Sequence, residues 1–297
     1  MKAYLLAGCG MLLAALPSAR AADGVNGVTA VSSRVSKDYV RARFPDGSFQ
    51  PESYAFGEGG NWGGEIKDAT IDNLKFIDVA RVIAAPLAGQ KYLPARDPNK
   101  TRLLIMVYWE TTAVPPPYEE DTMYRNYQQD IEEYRILLSE GAVDEADSVY
   151  YAGLEQLNMA NQVRDRLDYK NAKMLGYNTE SSGLIATDYG AQLGHTALGV
   201  EQRDQVAEIE ENRYFVVLMA YDFQLTWKQK KHKLLWETRF SISEHRNAFD
   251  KALPLMAQYA SKYFGQATDG ILRTRVQEGH VDIGDLKSLG EVDEPKK

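Results

Sequence analysis

From Phe215 to Trp227 every odd position is apolar: Phe215, Val217, Met219, Tyr221, Phe223, Leu225 and Trp227. Period-two alternation of that length predicts a β-strand with one face held against a core. The even positions change character partway, from Tyr214, Val216, Leu218 and Ala220 to Asp222, Gln224 and Thr226. The first half is therefore expected to be covered on both faces and the second half wetted on one. Lys228 to Lys233 contains no apolar residue and reads as a hairpin tip. Its lysines can touch phosphate or anionic lipid; the plainer reading is a solvated turn that discourages edge-to-edge pairing. On the return, Trp236, Thr238, Phe240 and Ile242 share a face, which predicts aromatic cross-strand pairs. Asn247 is the expected N-cap of a following helix whose core face carries Phe249, Ala252, Leu253, Met256, Ala260, Tyr263 and Phe264. Gly265 stops that helix, and Pro254 is expected to kink or restart it.

The rest of the chain supplies further elements of the same domain. Val28 to Phe44 reads as the first strand, ended by the turn Pro45-Asp46-Gly47-Ser48. Phe76, Val79, Ala80, Ile83 and Leu87 mark an amphipathic helix that stops at Gly89. Leu103 to Trp109 is apolar on both faces and is expected to be a central strand. This order predicts an α+β fold: a mixed or antiparallel sheet with helices packed on one face. Pro115-Pro116-Pro117 then breaks the composition. Tyr124, Tyr127, Ile131, Tyr134 and Leu138 form a heptad-like seam closed by Gly141, and Val143, Ala146, Tyr150, Leu157, Ala160, Leu167 and Met174 a second one ending at Gly176. An inserted helical hairpin over 115–178 follows, dividing the α+β domain into 22–114 and 179–290, with a disordered tail at 291–297. Asn178 to Gly199 reads as a returning loop and 201–211 as a charged helix.

Met1 to Ala21 has the form of a secretory signal peptide: Lys2, an apolar run from Ala3 to Leu16, and Ala19-Arg20-Ala21 as a cleavage site. That run is short of the roughly 20 residues a transmembrane helix needs. An exported periplasmic or extracellular protein without a transmembrane segment is expected. Cys9, the only cysteine, sits in Leu6-Ala7-Gly8-Cys9, which resembles a lipoprotein processing box and leaves lipid anchoring as the alternative. Cleavage after Ala21 leaves no cysteine, which excludes disulfides and thiol chemistry from the processed chain. The net charge of −8 over 297 residues argues against a nucleic-acid partner, which needs a basic surface.

No catalytic, cofactor-binding or metal-ligating residue stands out, and no cofactor is implied. No two of His195, His232, His245 and His280 have zinc-motif spacing, although His195 in Leu193-Gly194-His195-Thr196 lies in a glycine-flanked loop that can reach a pocket. Gly57 to Gly64 lacks the Lys-Ser/Thr of a phosphate loop and reads as a flexible loop. Asp222 and Glu237 are the carboxylates that would serve a hydrolase acting on an envelope polymer. Both are also assigned to the wetted face of the hairpin, as solvated charges. The acids concentrate elsewhere: Glu119 to Glu155 holds eleven acidic residues against Arg125 and Arg135, net −9.

Pro51-Glu52-Ser53-Tyr54-Ala55-Phe56, Gly89-Gln90-Lys91-Tyr92, Leu103 to Tyr108 and Leu235-Trp236 before a helix together resemble an uncharacterised domain family of bacterial envelope lipoproteins. The resemblance covers the chain outside Pro115 to Gly194 and implies an α+β fold and an envelope location, with no catalytic residues to transfer. The expected function is a non-enzymatic binding or structural module whose partner is an envelope protein or glycan, with the acidic helical hairpin as the docking element. The envelope hydrolase is the alternative.

Overall fold

The computed structural model describes Val25 and residues 27–59, 68–177 and 204–275. The expected signal peptide with Cys9, most of the expected glycine-rich loop, the expected loop carrying His195, His280 and the expected tail lie outside these residues. Among the described residues, seven strands form one mixed sheet in the order β3-β2-β4-β5-β6-β1-β7. The strands are β1 (Val28–Val35), β2 (Glu52–Glu58), β3 (Tyr92–Pro94), β4 (Leu103–Thr111), β5 (Arg213–Asp222), β6 (Leu234–Ser243) and β7 (Leu272–Arg275). β2 runs parallel to β3 and β4, and the remaining pairs are antiparallel. The fold is α+β, with α1 (Ala69–Asp72), α2 (Phe76–Gly89) and α6 (Phe249–Ser261) over one sheet face.

β5 is the middle strand of this sheet, with its faces weighted differently from expectation. The even residues Tyr214, Val216, Leu218 and Ala220 face the main core, against Val79, Ile83 and Leu87 of α2 and Leu253, Met256 and Ala260 of α6. Phe215 and Val217 face a smaller second core, and Met219 and Tyr221 on the same side are only half-buried. The strand also ends early. Asp222 accepts a hydrogen bond from the Leu225 amide at 2.9 Å and caps a short helix, α5 (Phe223–Gln229), where alternation predicts strand. Phe223 and Trp227, counted as strand positions, are also i and i+4, and their rings meet at 5.9 Å on one helical face. Short apolar runs satisfy both periods, and the aspartate cap decides between them.

Other boundaries move for similar reasons. β1 stops at Val35, because 36–51 leaves the sheet in a long turn held by the Phe44 amide on Ser48 O and by an isolated bridge between Arg43 and Phe49. The expected aromatic cross-strand pairs are aromatic on one side only: Phe240 lies opposite Val216 and Trp236 opposite Ala220. Asn247 does not cap α6. Its side chain donates to Ser243 O at 2.8 Å, and Thr70 Oγ1, from α1, accepts the Phe249 amide at 3.0 Å instead. α6 continues through Pro254 to Ser261.

Candidate docking arm

The hairpin consists of α3 (Thr122–Glu140) and α4 (Val143–Leu175), packed side by side. Asp121 starts α3 by accepting the amides of Met123 and Tyr124 at 2.8 and 3.1 Å. Gly141 ends it with φ 83°, a left-handed turn that glycine adopts without steric cost. No residue of α3 is fully buried, and the residues of α4 buried along the outer hairpin, Ala146, Gly153 and Ala160, are small. The seam is aromatic: Tyr118 meets Tyr124 at 4.7 Å and Tyr124 meets Tyr127 at 5.9 Å, and farther out Tyr134 meets Tyr150 at 5.1 Å. Such ring pairs prefer the tilted geometries found here and pack without heptad regularity. Gly153, unnoticed in the sequence, permits this closeness, since a Cβ there would stand 3.0 Å from Asp130 Cβ. Leu138 is 42% exposed at the tip, and Leu137 takes the half-buried position.

At its root the hairpin becomes part of the domain. Ala172, Met174, Leu175 and Tyr177 bury against Phe215, Val217 and Ile209, and so form the second core. Asn171, fully buried, donates to Ala113 O at 2.9 Å and Ile209 O at 3.1 Å, tying both ends of the insertion together. Arg239 of β6 donates to Lys173 O and Met174 O at 2.9 and 3.0 Å, which satisfies terminal carbonyls of α4 and puts a cation at its negative end. Glu237 holds that guanidinium at 2.7 Å. The root over 171–177 therefore belongs to the sheet, although the sequence places it in the insertion. Arg239 and Asn171 were missed because one is a single charge on a strand and the other a single polar residue on a long helix.

Electrostatics divide the arm. Its outer part, 119–155, carries the net −9, and Ile136, Leu138 and Val143 stand 51%, 42% and 55% exposed around the tip. Nearer the root, burial pushes the Asp168 carboxyl up to about 6, with Glu210 and Asp165 adding repulsion and Arg164 opposing it. Asp168 Oδ1 has no hydrogen-bond partner. A carboxyl raised above its ordinary value contributes stability that is complete below about pH 4 and is lost as pH rises through about 6. Asp168→Asn is thus expected to raise the thermal midpoint at pH 7, with the gain vanishing near pH 4. An equal gain at both pH values would contradict this.

The remaining candidates do not converge on a reaction centre. Asp222 is committed to its cap and Glu237 to Arg239, and Glu237 pairs with Met219, three residues from Asp222 along β5. The exposed His232 sits edge-on to Tyr221 at 6.1 Å, and His245 is exposed. At the other end of the sheet Asp68, Thr70, Tyr214 and Glu244 come together. Burial pushes Asp68 up, but bonds from Tyr214 and Thr70 outweigh it and hold the carboxyl below its usual range. Burial, then the Asp68 charge, pushes Glu244 up. Splitting two carboxylates this way is a property of acid–base pairs. Here Asp68 caps α1 and Thr70 binds the first amide of α6, so both serve the fold. Among the described residues, no three His, Cys, Asp or Glu side chains are arranged to hold a metal ion, and no helix is long and apolar enough to cross a membrane.

No protein-family model matches the chain, and no curated protein matches it either. Among solved structures, a crystal structure of a PDZ domain protein from Parabacteroides distasonis is similar at a TM-score of 0.37 and 13% identity. The likeness covers 84% of this chain and 39% of that one, so this chain spans well under half of its length. At that overlap it assigns neither fold nor function.

Proposed function

We propose that the chain is an exported, non-enzymatic binding module of a bacterial cell envelope, and that the hairpin is the arm by which it docks a partner protein with a basic surface. One observation carries this reading: a net charge of −9 is concentrated on a hairpin whose tip exposes Ile136, Leu138 and Val143. A field of one sign steers an oppositely charged partner and raises its association rate, and apolar side chains at the contact then hold it. The secretory form of Met1 to Ala21 and the resemblance to envelope lipoproteins support the location.

The test is capture from an envelope extract, followed by binding kinetics with the retained protein. Glu132, Glu133, Glu140 and Asp144 are all exposed. Changing them to the corresponding amides is expected to slow association about 10-fold or more at low salt, with the gap closing as salt screens the field. A retained protein that associates equally fast with the neutralised arm would overturn the docking role.

A further inference from the structure

The strand register gathers three connections at the end of the sheet opposite the arm. Glu52 pairs with Tyr92, Tyr54 with Leu103, Leu103 with Asp222, Tyr221 with Leu234 and Val35 with Trp236. The segments 36–52, 91–102 and 222–233 are therefore neighbours. Lys233 pairs with Asp38 at 3.1 Å, and Gln224 donates to Pro98 O and Thr101 O at 2.7 and 2.8 Å. Arg41 donates to Gln90 O at 2.6 Å, with its guanidinium 3.9 Å from the centre of the Phe49 ring and 4.1 Å from that of Tyr92. The arm leaves from the other end, where β4 finishes and β5 begins.

Together these segments hold eleven lysines and arginines against five carboxylates, net +6, in a chain whose total is −8. All the bases except Arg41 and Lys233 are exposed. Among them stand apolar side chains that the fold leaves uncovered: Val40 at 79%, Phe44 and Leu93 at 45%, Trp227 at 39% and Leu234 at 37%. Lys91 and Lys230 have φ of 65° and 58°, a left-handed conformation that glycine enters more readily, so local turn geometry does not ask for lysine at either place.

We propose that this basic, apolar-studded end docks the protein on the surface of a bilayer containing anionic lipid. Phosphate headgroups attract the lysines and arginines, whose stems lie along the interface. The exposed Val40, Phe44, Leu93 and Trp227 enter the headgroup boundary, where an aromatic or aliphatic body beside a cation is favoured. The arm of a second copy meets the charge, but its exposed apolar side chains, Ile136, Leu138 and Val143, sit at one narrow tip, whereas the apolar residues here are spread over three segments as a flat lipid surface requires. Docked this way, the arm leaves from the end away from the lipid.

The experiment is flotation of the full-length chain with phosphatidylcholine vesicles, with and without phosphatidylglycerol. Residues 1–21 are kept in every variant so that their contribution cancels. Binding is expected only where phosphatidylglycerol is present, weakening as NaCl is raised. Lys228→Glu, Lys230→Glu and Lys231→Glu together are expected to lower it by at least about 100-fold, since each base near an anionic surface contributes about 5-fold. Val40→Ser with Phe44→Ser lowers it too, with the salt dependence unchanged. No preference for phosphatidylglycerol, or equal binding by the lysine variant with an unchanged melting curve, overturns the proposal. So does a wild type that ignores vesicles but self-associates in a salt-sensitive way that the lysine variant abolishes; the occupant is then a second copy's arm.

Discussion

Val217→Asp is expected to leave no cooperatively folded protein. Val217 is fully buried in the second core, where Ala172, Leu175 and Tyr177 of the hairpin root pack against β5. Arg239 lies opposite Val217 but is already held by Glu237 and by the carbonyls of Lys173 and Met174, so a new carboxylate there stays under-paired, and burying an under-paired charge costs several kcal/mol against a total domain stability of about 5–15 kcal/mol. Met219, two residues along on the same face, is half-buried beside the half-buried Tyr108 and Tyr221. Met219→Asp can keep its carboxylate in water and is expected to fold. Alternation treats the two positions as equivalent, so the pair separates what the pattern says from what the packing says. Soluble expression and urea unfolding decide it, and a soluble Val217→Asp protein with a wild-type transition would show that the second core is not where the sheet is sealed.

The difference between these positions marks how far the sequence could be read. Strand identity was legible where apolar residues covered both faces over a run too short for a buried helix and rich in β-branched and aromatic residues, as in Leu103 to Val107 and Tyr214 to Leu218. α2 and its buried positions Val79, Ala80, Ile83 and Leu87 were legible from spacing alone. Face weighting was not, since the larger core lies on the even side, where Tyr214 carries a hydroxyl and looks no more buried than Tyr221. Nor were elements ended by a single side chain: Asp222 converts the last alternating residues into α5, and Thr70 supplies the α6 cap from 179 residues away.

The candidate arm was legible as charge and seam, and its root was not. Asn171 and Arg239 act through backbone carbonyls of segments distant in sequence, which no spacing rule reports. The basic end was illegible for a related reason. Its eleven bases come from three separated segments, and only the strand register brings them together. Lys228, Lys230, Lys231 and Lys233, taken alone, look like an ordinary solvated turn.

The second large effect concerns where the arm stops and the domain begins. Tyr118 OH donates to Asn161 Oδ1 at 3.3 Å, and the Arg164 guanidinium lies 3.7 Å from the centre of the Tyr118 ring, so the two legs of the insertion are close together there. Replacing Asp121 to Ala160 with a short glycine-serine linker removes α3 and the outer part of α4, which share an aromatic seam with each other and contribute nothing to either sheet core. The shortened chain is expected to unfold cooperatively near the wild-type midpoint and to lose salt-sensitive partner binding. Extending the cut to Pro116 to Asn178 has a different consequence. It strips Met174, Leu175 and Tyr177 from the second core, where each buried side chain of this size contributes about 1.5–3 kcal/mol. It also removes both bonds of Asn171 and leaves Arg239, 8% exposed, without the carbonyls it caps. A loss of about 5 kcal/mol or more reaches the lower range of whole-domain stability, and the longer deletion is expected not to fold. If both deletions fold alike, the root carries no part of the core; if the shorter one fails to fold, the outer hairpin supports the sheet and is not a separable arm.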